Sequence, residues 1–249
     1  MAVPYTLFTF LVCFLTLSVK AGETPFLFLG QDIAPYFFVN DKNEIVGLYP
    51  EILGAACQEL NETCSFEIYP INRMLKILES GSAHGTAPFL KIPEREPLYY
   101  FSEFNIPSYY VFYGRTDLIN RIRNLSDFGK EDISVHNSSG AEAELNKLSA
   151  SCSYCLKIKR EPTFKNVVER LINDKHPLVY INSHIANYYI HDRKLENVKG
   201  SSLLRTSMTY RIAFSKKSMN ERTFHRFDRK LLELEKKGVI KKILQKYGL

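Results

Sequence analysis

The chain has 249 residues, of which 45% are hydrophobic and 24% charged, with a formal charge of +6 at neutral pH. That length accommodates one large domain or two small lobes with a sizeable core, and the composition excludes a low-complexity or disordered chain. Much of the basic surplus lies in Lys236-Lys237, Lys241-Lys242 and Lys246, on an amphipathic helix with no basic-aromatic motif beside it. Nucleic acid is therefore excluded as a partner, and a mild preference for anionic ligands is compatible with the charge.

Residues 5–19 are almost wholly apolar or hydroxylated, and Lys20-Ala21-Gly22-Glu23 opens the polar chain. The run is shorter than the ~20 residues a membrane-spanning helix needs. Val19 and Ala21 are small enough for a signal-peptidase site, so residues 1–21 read as a signal peptide cleaved after Ala21. An uncleaved anchor is the competing reading, and the lack of Lys or Arg in the first five residues departs from the usual leader. Cys13 does not mark a lipoprotein, because bulky Leu11-Val12 precede it.

The first globular segment opens with an apolar strand over 25–30 and a loop over 31–38 that carries Tyr36. A turn at Asn40-Asp41-Lys42-Asn43 leads to a helix over 51–60 and a strand over 65–68. From Asn72, Met74, Leu75 and Ile77-Leu78 recur at helical spacing until Gly81 stops the helix. A short strand near Thr86, the tripeptide Pro93-Glu94-Arg95 and an aromatic stretch over 99–101 follow, and residues 108–113 read as β-rich.

A second α/β unit begins with a strand over 133–135 and the small polar run Asn137-Ser138-Ser139-Gly140. Helices are predicted over 141–148, 164–171 and 184–190, and strands over 156–158 and 178–181. A long β-rich return covers 202–214, and two helices, 220–237 and 239–247, flank Gly238 as a C-cap. The alternation of strands and helices predicts an α/β fold of mainly parallel sheets with helices on both faces.

Four cysteines remain beyond the leader, in two local pairs. Cys57 sits late in the predicted helix over 51–60 and Cys64 opens the next strand, a reversal short enough for a bridge. Cys152-Ser153-Tyr154-Cys155 fits a redox motif, half a zinc site or a structural disulfide. The last is the reading taken, since no βαβ context and no second ligand pair accompany it. Nucleophile-elbow, H-E-x-x-H, P-loop and G-x-G-x-x-G patterns are all missing, so no catalytic residue and no metal ligand is assigned.

The order helix, Leu78-x-x-Gly81, short strand, Pro93-Glu94-Arg95 and Phe101-Ser102 resembles the bacterial extracellular solute-binding proteins of the polar amino-acid type, family 3. The resemblance implies a type II periplasmic-binding fold of two lobes joined by two hinge strands. Lobe 1 is then discontinuous, residues 22–112 and 206–249, and lobe 2 covers 113–205. It also implies capture of a small ligand by cleft closure, without catalysis or cofactor, in the periplasm. The implied partners are the small-molecule ligand and a membrane permease, and a monomer is expected. Histidine- and lysine/arginine/ornithine-binding members of the family carry a C-x6-C pair where this chain has Cys57 and Cys64.

Arg95 matches the family arginine that holds a ligand carboxylate, a fork-shaped donor suited to that group. Ser139 matches the second-lobe hydroxyl that meets the same carboxylate, and a plain helix N-cap is its structural role. Arg73, Tyr36, Asn182 and Glu51 complete the expected ligand set. The amine half departs from the family: Asn182 stands where an aspartate is usual, Tyr49 replaces the acidic residue of G-F-D, and Pro88, Leu90 and Ile92 replace hydroxyls. A neutral amide is a poor partner for a desolvated ammonium, so an organic acid or other small anion fits as well as an amino acid. The competing readings are an enzyme of cyclohexadienyl dehydratase type, with Glu51 as its general acid, and a soluble sensor.

Overall fold

The computed structural model describes residues 25–137, 139–151, 156–173 and 178–249. The expected leader and the Cys152/Cys155 pair lie outside the described residues. The elements run β1 (Phe26–Gly30), β2 (Phe38–Val39), β3 (Ile45–Val46), α1 (Leu48–Leu60), β4 (Cys64–Ile68), α2 (Ile71–Ser80) and β5 (Gly85–Leu90). A 3-10 turn at Pro93–Arg95 precedes β6 (Tyr99–Arg115), α3 (Thr116–Arg121), β7 (Asp132–His136), α4 (Gly140–Ser151) and β8 (Lys157–Glu161). Then come α5 (Phe164–Ile172), β9 (Leu178–Asn182), α6 (Ser183–Asp192), β10 (Val198–Ser215), α7 (Glu221–Lys236) and α8 (Val239–Lys246).

One sheet of eight strands runs β4-β1-β5-β10-β6-β9-β7-β8. The outer triplets, β4-β1-β5 and β9-β7-β8, are parallel, while β10 and β6 pair antiparallel with each other and with their outer neighbours. The two long central strands thus belong to both halves. β6 pairs with β9 only over residues 110–114, and β10 pairs with β5 only over residues 210–214. Pro107 lies within β6 before its pairing with β9 begins, so its missing N–H costs no bond to that strand.

Helices cover both faces, as the alternation predicts. In the first half, α1, α7 and α8 pack one face through Ile52, Leu53, Phe227, Leu231 and Ile240, and α2 covers the other with Met74 and Leu78 against Leu29 and Phe89. In the second half, α3 and α4 lie over Phe112, Phe128 and Ile133, and α5 and α6 cover the opposite face. The apolar cluster of α1 continues into that of α5 and α6 through Tyr36 and Phe37, so the halves share packed surface.

Local chemistry fixes the element ends. Asn220, Thr163 and Asn182 each accept a backbone N–H as N-caps of α7, α5 and α6. Gly47 opens α1 at φ 131°, where a Cβ would stand 2.5 Å from the Tyr36 carbonyl oxygen, so only glycine fits. Gly238 separates α7 from α8 at φ 73°, the expected left-handed stop. Cys57 and Cys64 form a disulfide with Cα atoms 6.0 Å apart, tying the last turn of α1 to β4.

Candidate functional site

The carboxyl ends of β1, β5, β7 and β9 converge on the crevice between the halves, where ligands of open α/β sheets lodge. Beside them lies a groove of about 530 Å³, within the range of small-molecule sites. Leu90, Lys91 and Ile92 line it from the first half, Gly140, Ala143 and Glu144 from α4, and Tyr110, residues 206–209 and Arg211 from the long strands. A second groove of about 620 Å³ lies where the loop holding Asp32, Phe38 and Asp41 faces α5 and α6.

Between the grooves the crevice is filled by a polar cluster. Asn182, 1% exposed, caps α6 by accepting from the backbone N–H groups of His184 at 2.9 Å and Ile185 at 3.4 Å. Those two donors fix which end of the amide is oxygen. The Tyr36 hydroxyl, reaching over from the first half, donates to the same oxygen at 3.0 Å. Its own oxygen lies 3.2 Å from His184 Nδ1, which donates to it in the matching tautomer. The Asn182 amide nitrogen donates to Ser108 Oγ at 2.8 Å.

Aromatic rings surround this network. Tyr36 lies against Tyr49 and Tyr210, with ring centroids 5.8 and 5.5 Å apart. Burial first, then neighbouring phenols, holds the Tyr36 and Tyr49 hydroxyls protonated well above the usual tyrosine range. Burial likewise depresses the His184 imidazole to about 4, so it is neutral at physiological pH. The Tyr49 hydroxyl is buried with no hydrogen-bond partner among the described residues. Tyr110 closes the far side, its hydroxyl so near Gly140 that a Cβ there would stand 2.8 Å away.

Two of the residues anticipated from sequence, Tyr36 and Asn182, meet directly in this cluster. Ser139 stands at the start of α4 beside the groove, its Oγ accepting from Glu142 N at 3.2 Å as an N-cap and donating to the His136 carbonyl. Arg95 follows the groove-lining segment 90–92 and is half-buried. Its guanidinium donates to the Leu90 carbonyl at 3.0 Å and lies over the Phe89 ring at 3.8 Å. Burial lowers its pKa.

None of the six expected ligand residues lines the groove itself, and two of them are turned to other surfaces. Glu51 accepts from Lys246 Nζ at 2.6 Å and from the Tyr247 hydroxyl, because the first turn of α1 faces α8. Arg73 is exposed on α2 with its guanidinium over the Tyr69 ring. Tyr110, Tyr210, Ser108 and Arg211, absent from the expected set, lie on the long central strands. Their alternating aromatic pattern carries the ordinary signature of sheet core, so no sequence signal separates them from it. Among the described residues no group of three His, Cys, Asp or Glu is placed to hold a metal, and no helix is long and apolar enough to cross a membrane.

Comparison with known proteins agrees with this architecture. The family described as bacterial extracellular solute-binding proteins, family 3, matches residues 28–249. An arginine-binding periplasmic protein of Mannheimia haemolytica is 26% identical over 131 residues, 52% of each chain. The chain thus matches about half the length of that curated relative. Among solved structures, an ancestral arginine-binding protein bound to arginine aligns with a TM-score of 0.75 at 18% identity, covering 91% of this chain and 99% of that one. A substrate-binding protein of an ABC uptake transporter from Streptococcus pneumoniae, with bound histidine, gives 0.76 at 15% identity, covering 90% and 92%. The fold is the two-lobed type II periplasmic-binding fold, each lobe a mainly parallel sheet flanked by helices, with β6 and β10 as the joining strands.

Proposed function

The chain belongs to the bacterial extracellular solute-binding proteins, family 3, and from this we propose that it captures a small carboxylate-bearing solute, an amino acid or a related acid, by closure of its crevice. Capture takes place in the periplasm, after removal of residues 1–21, and the closed monomer passes its solute to a membrane transporter. Lobe 1 comprises residues 22–112 and 206–249, and lobe 2 residues 113–205.

The observation that carries the reading is the groove at the carboxyl ends of the strands, bounded by both halves of a fold whose family match spans residues 28–249. Arg95, directly after the groove-lining segment, is the cation for the ligand carboxylate. Ser139 and the first amides of α4 supply the opposing contact. Closure follows because a ligand touching both halves favours the compact form over the open one. No catalytic step is needed. Glu51, the acid an enzyme reading would use, is held by Lys246 and Tyr247 instead.

A thermal-shift screen of amino acids, dicarboxylates and small peptides tests this. A ligand at a hundred times its dissociation constant stabilises by about 2.7 kcal/mol, a rise in Tm of roughly 5–10 °C for a chain of this size. Arg95→Ala should abolish the shift for any carboxylate that gives one. An unchanged affinity in that variant removes Arg95 from the site.

A further inference from the structure

The second groove, of about 620 Å³, has a chemistry of its own. On α6, Ile185, Tyr188, Tyr189 and Asp192 line it, the spacing of one helical face. On α5, Val168, Glu169 and Ile172 do the same. Opposite stands the loop of the first half with Asp32, Phe38 and Asp41. The floor is apolar, with Val168 and Ile185 buried. The walls are aromatic: the Phe38 and Tyr188 ring centroids are 5.8 Å apart, and those of Tyr188 and Tyr189 5.2 Å.

The charged rim is unbalanced. Asp192 is already paired with Arg193 at 3.2 Å. Asp32, Asp41 and Glu169 are exposed and have no ion-pair partner among the described residues, against the single ammonium of Lys165. Burial first, then Asp192 and Asp41, raises the Tyr188 phenol; burial, then Tyr188 and Asp32, raises that of Tyr189. Carboxylates of the first half therefore stand close to rings of the second. Aromatic faces and carboxylates attract the same thing, positive charge on an apolar body. A metal ion needs oxygens converging on one point, and no three acidic or imidazole groups do so among the described residues.

We propose that the second groove binds an organic cation, a quaternary or alkyl ammonium, with its apolar body on the Val168 and Ile185 floor, its charge against Phe38 and Tyr188, and Asp32 and Asp41 at its rim. This goes beyond the carboxylate capture proposed above and uses a different groove. Because the aspartates belong to the first half and the tyrosines to the second, such a ligand bridges the halves and favours the closed form.

The test is a ligand-observed NMR titration with choline and its neutral carbon isostere, 3,3-dimethylbutan-1-ol, which differ in charge and hardly in shape. Choline should bind the wild-type chain about tenfold more tightly or better, the scale of a partly desolvated cation against aromatic faces. Asp32→Asn combined with Asp41→Asn should weaken choline by about threefold or more and leave the alcohol unchanged. Tyr188→Leu keeps an apolar wall without the ring and should weaken choline by about fivefold or more. The aspartate variant alters only exposed side chains, so the test stays readable if Tyr188→Leu fails to fold. Equal affinity for the two probes, or binding of neither, overturns the inference. A choline preference that the aspartate variant leaves intact overturns its assignment to this groove, and one that a folded Tyr188→Leu leaves intact overturns the role of the ring. Neither probe carries a carboxylate, so this titration and the carboxylate screen succeed or fail separately.

Discussion

Removing the Tyr36 hydroxyl and the Asn182 amide, singly and together, measures the link between the two halves. Tyr36→Phe keeps the ring packed against Tyr49 and Tyr210 and deletes one buried hydrogen bond, leaving His184 Nδ1 without its partner. A loss of about 1–2 kcal/mol is expected. Asn182→Ala deletes the N-cap of α6, worth about 1 kcal/mol, and strands the Ser108 and Tyr36 hydroxyls in a buried site, for about 3 kcal/mol in all. Because the two residues share one bond, the double variant should cost about 1 kcal/mol less than the sum of the singles. Urea unfolding of the four proteins, with ligand excluded, gives the cycle. Strict additivity would falsify the direct contact across the crevice.

Three further outcomes follow from the geometry. His184 has a folded pKa near 4 against an ordinary 6.5, so the unfolded chain binds more protons between those values. Its contribution, up to about 3 kcal/mol, is complete above pH 6.5 and is lost as pH falls toward 4; His184→Gln should flatten the Tm profile over that window, and an unchanged slope would remove His184 as its source. The disulfide closes a loop with a sequence separation of 7, so replacing both Cys57 and Cys64 by serine should destabilise by about 2–3 kcal/mol, read as a lower urea midpoint. Gly30→Ala places a Cβ 2.3 Å from the fully buried Phe37 ring; overpacking of about 2 kcal/mol or more is expected, and a neutral variant would show that the Phe37 loop yields easily.

The strands and helices were largely legible because their signals are local. The period of Met74, Leu75 and Ile77-Leu78 and the stop at Gly81 need no partner to be read, and α2 ends at Ser80 as they indicate. The Cys57–Cys64 bridge was legible for the same reason. β6 was not read at its full length. Residues 108–113 are only its last part, and the strand begins at Tyr99 because its ladder with β10 continues from Tyr99↔Ser215 to Arg115↔Val198. That pairing is set by residues about a hundred positions away. The crevice cluster was half legible. Tyr36 and Asn182 stood out by their places in the chain, but their hydrogen bond joins residues 146 apart. Glu51 misled because an acid near a family position carries no information about which face of α1 it occupies. Its actual partners come from the last turn of the chain.

The rings around Phe227 carry a consequence for the order of assembly. Phe227 of α7 touches Phe26, Phe28 and Phe214, with centroids 5.0, 6.0 and 5.8 Å away. The earliest strand of the chain therefore waits for rings translated almost last. Until α7 is made, β1 and α1 lack the rings that complete their shared packing, so that face of the first half closes only when the C-terminal helices dock.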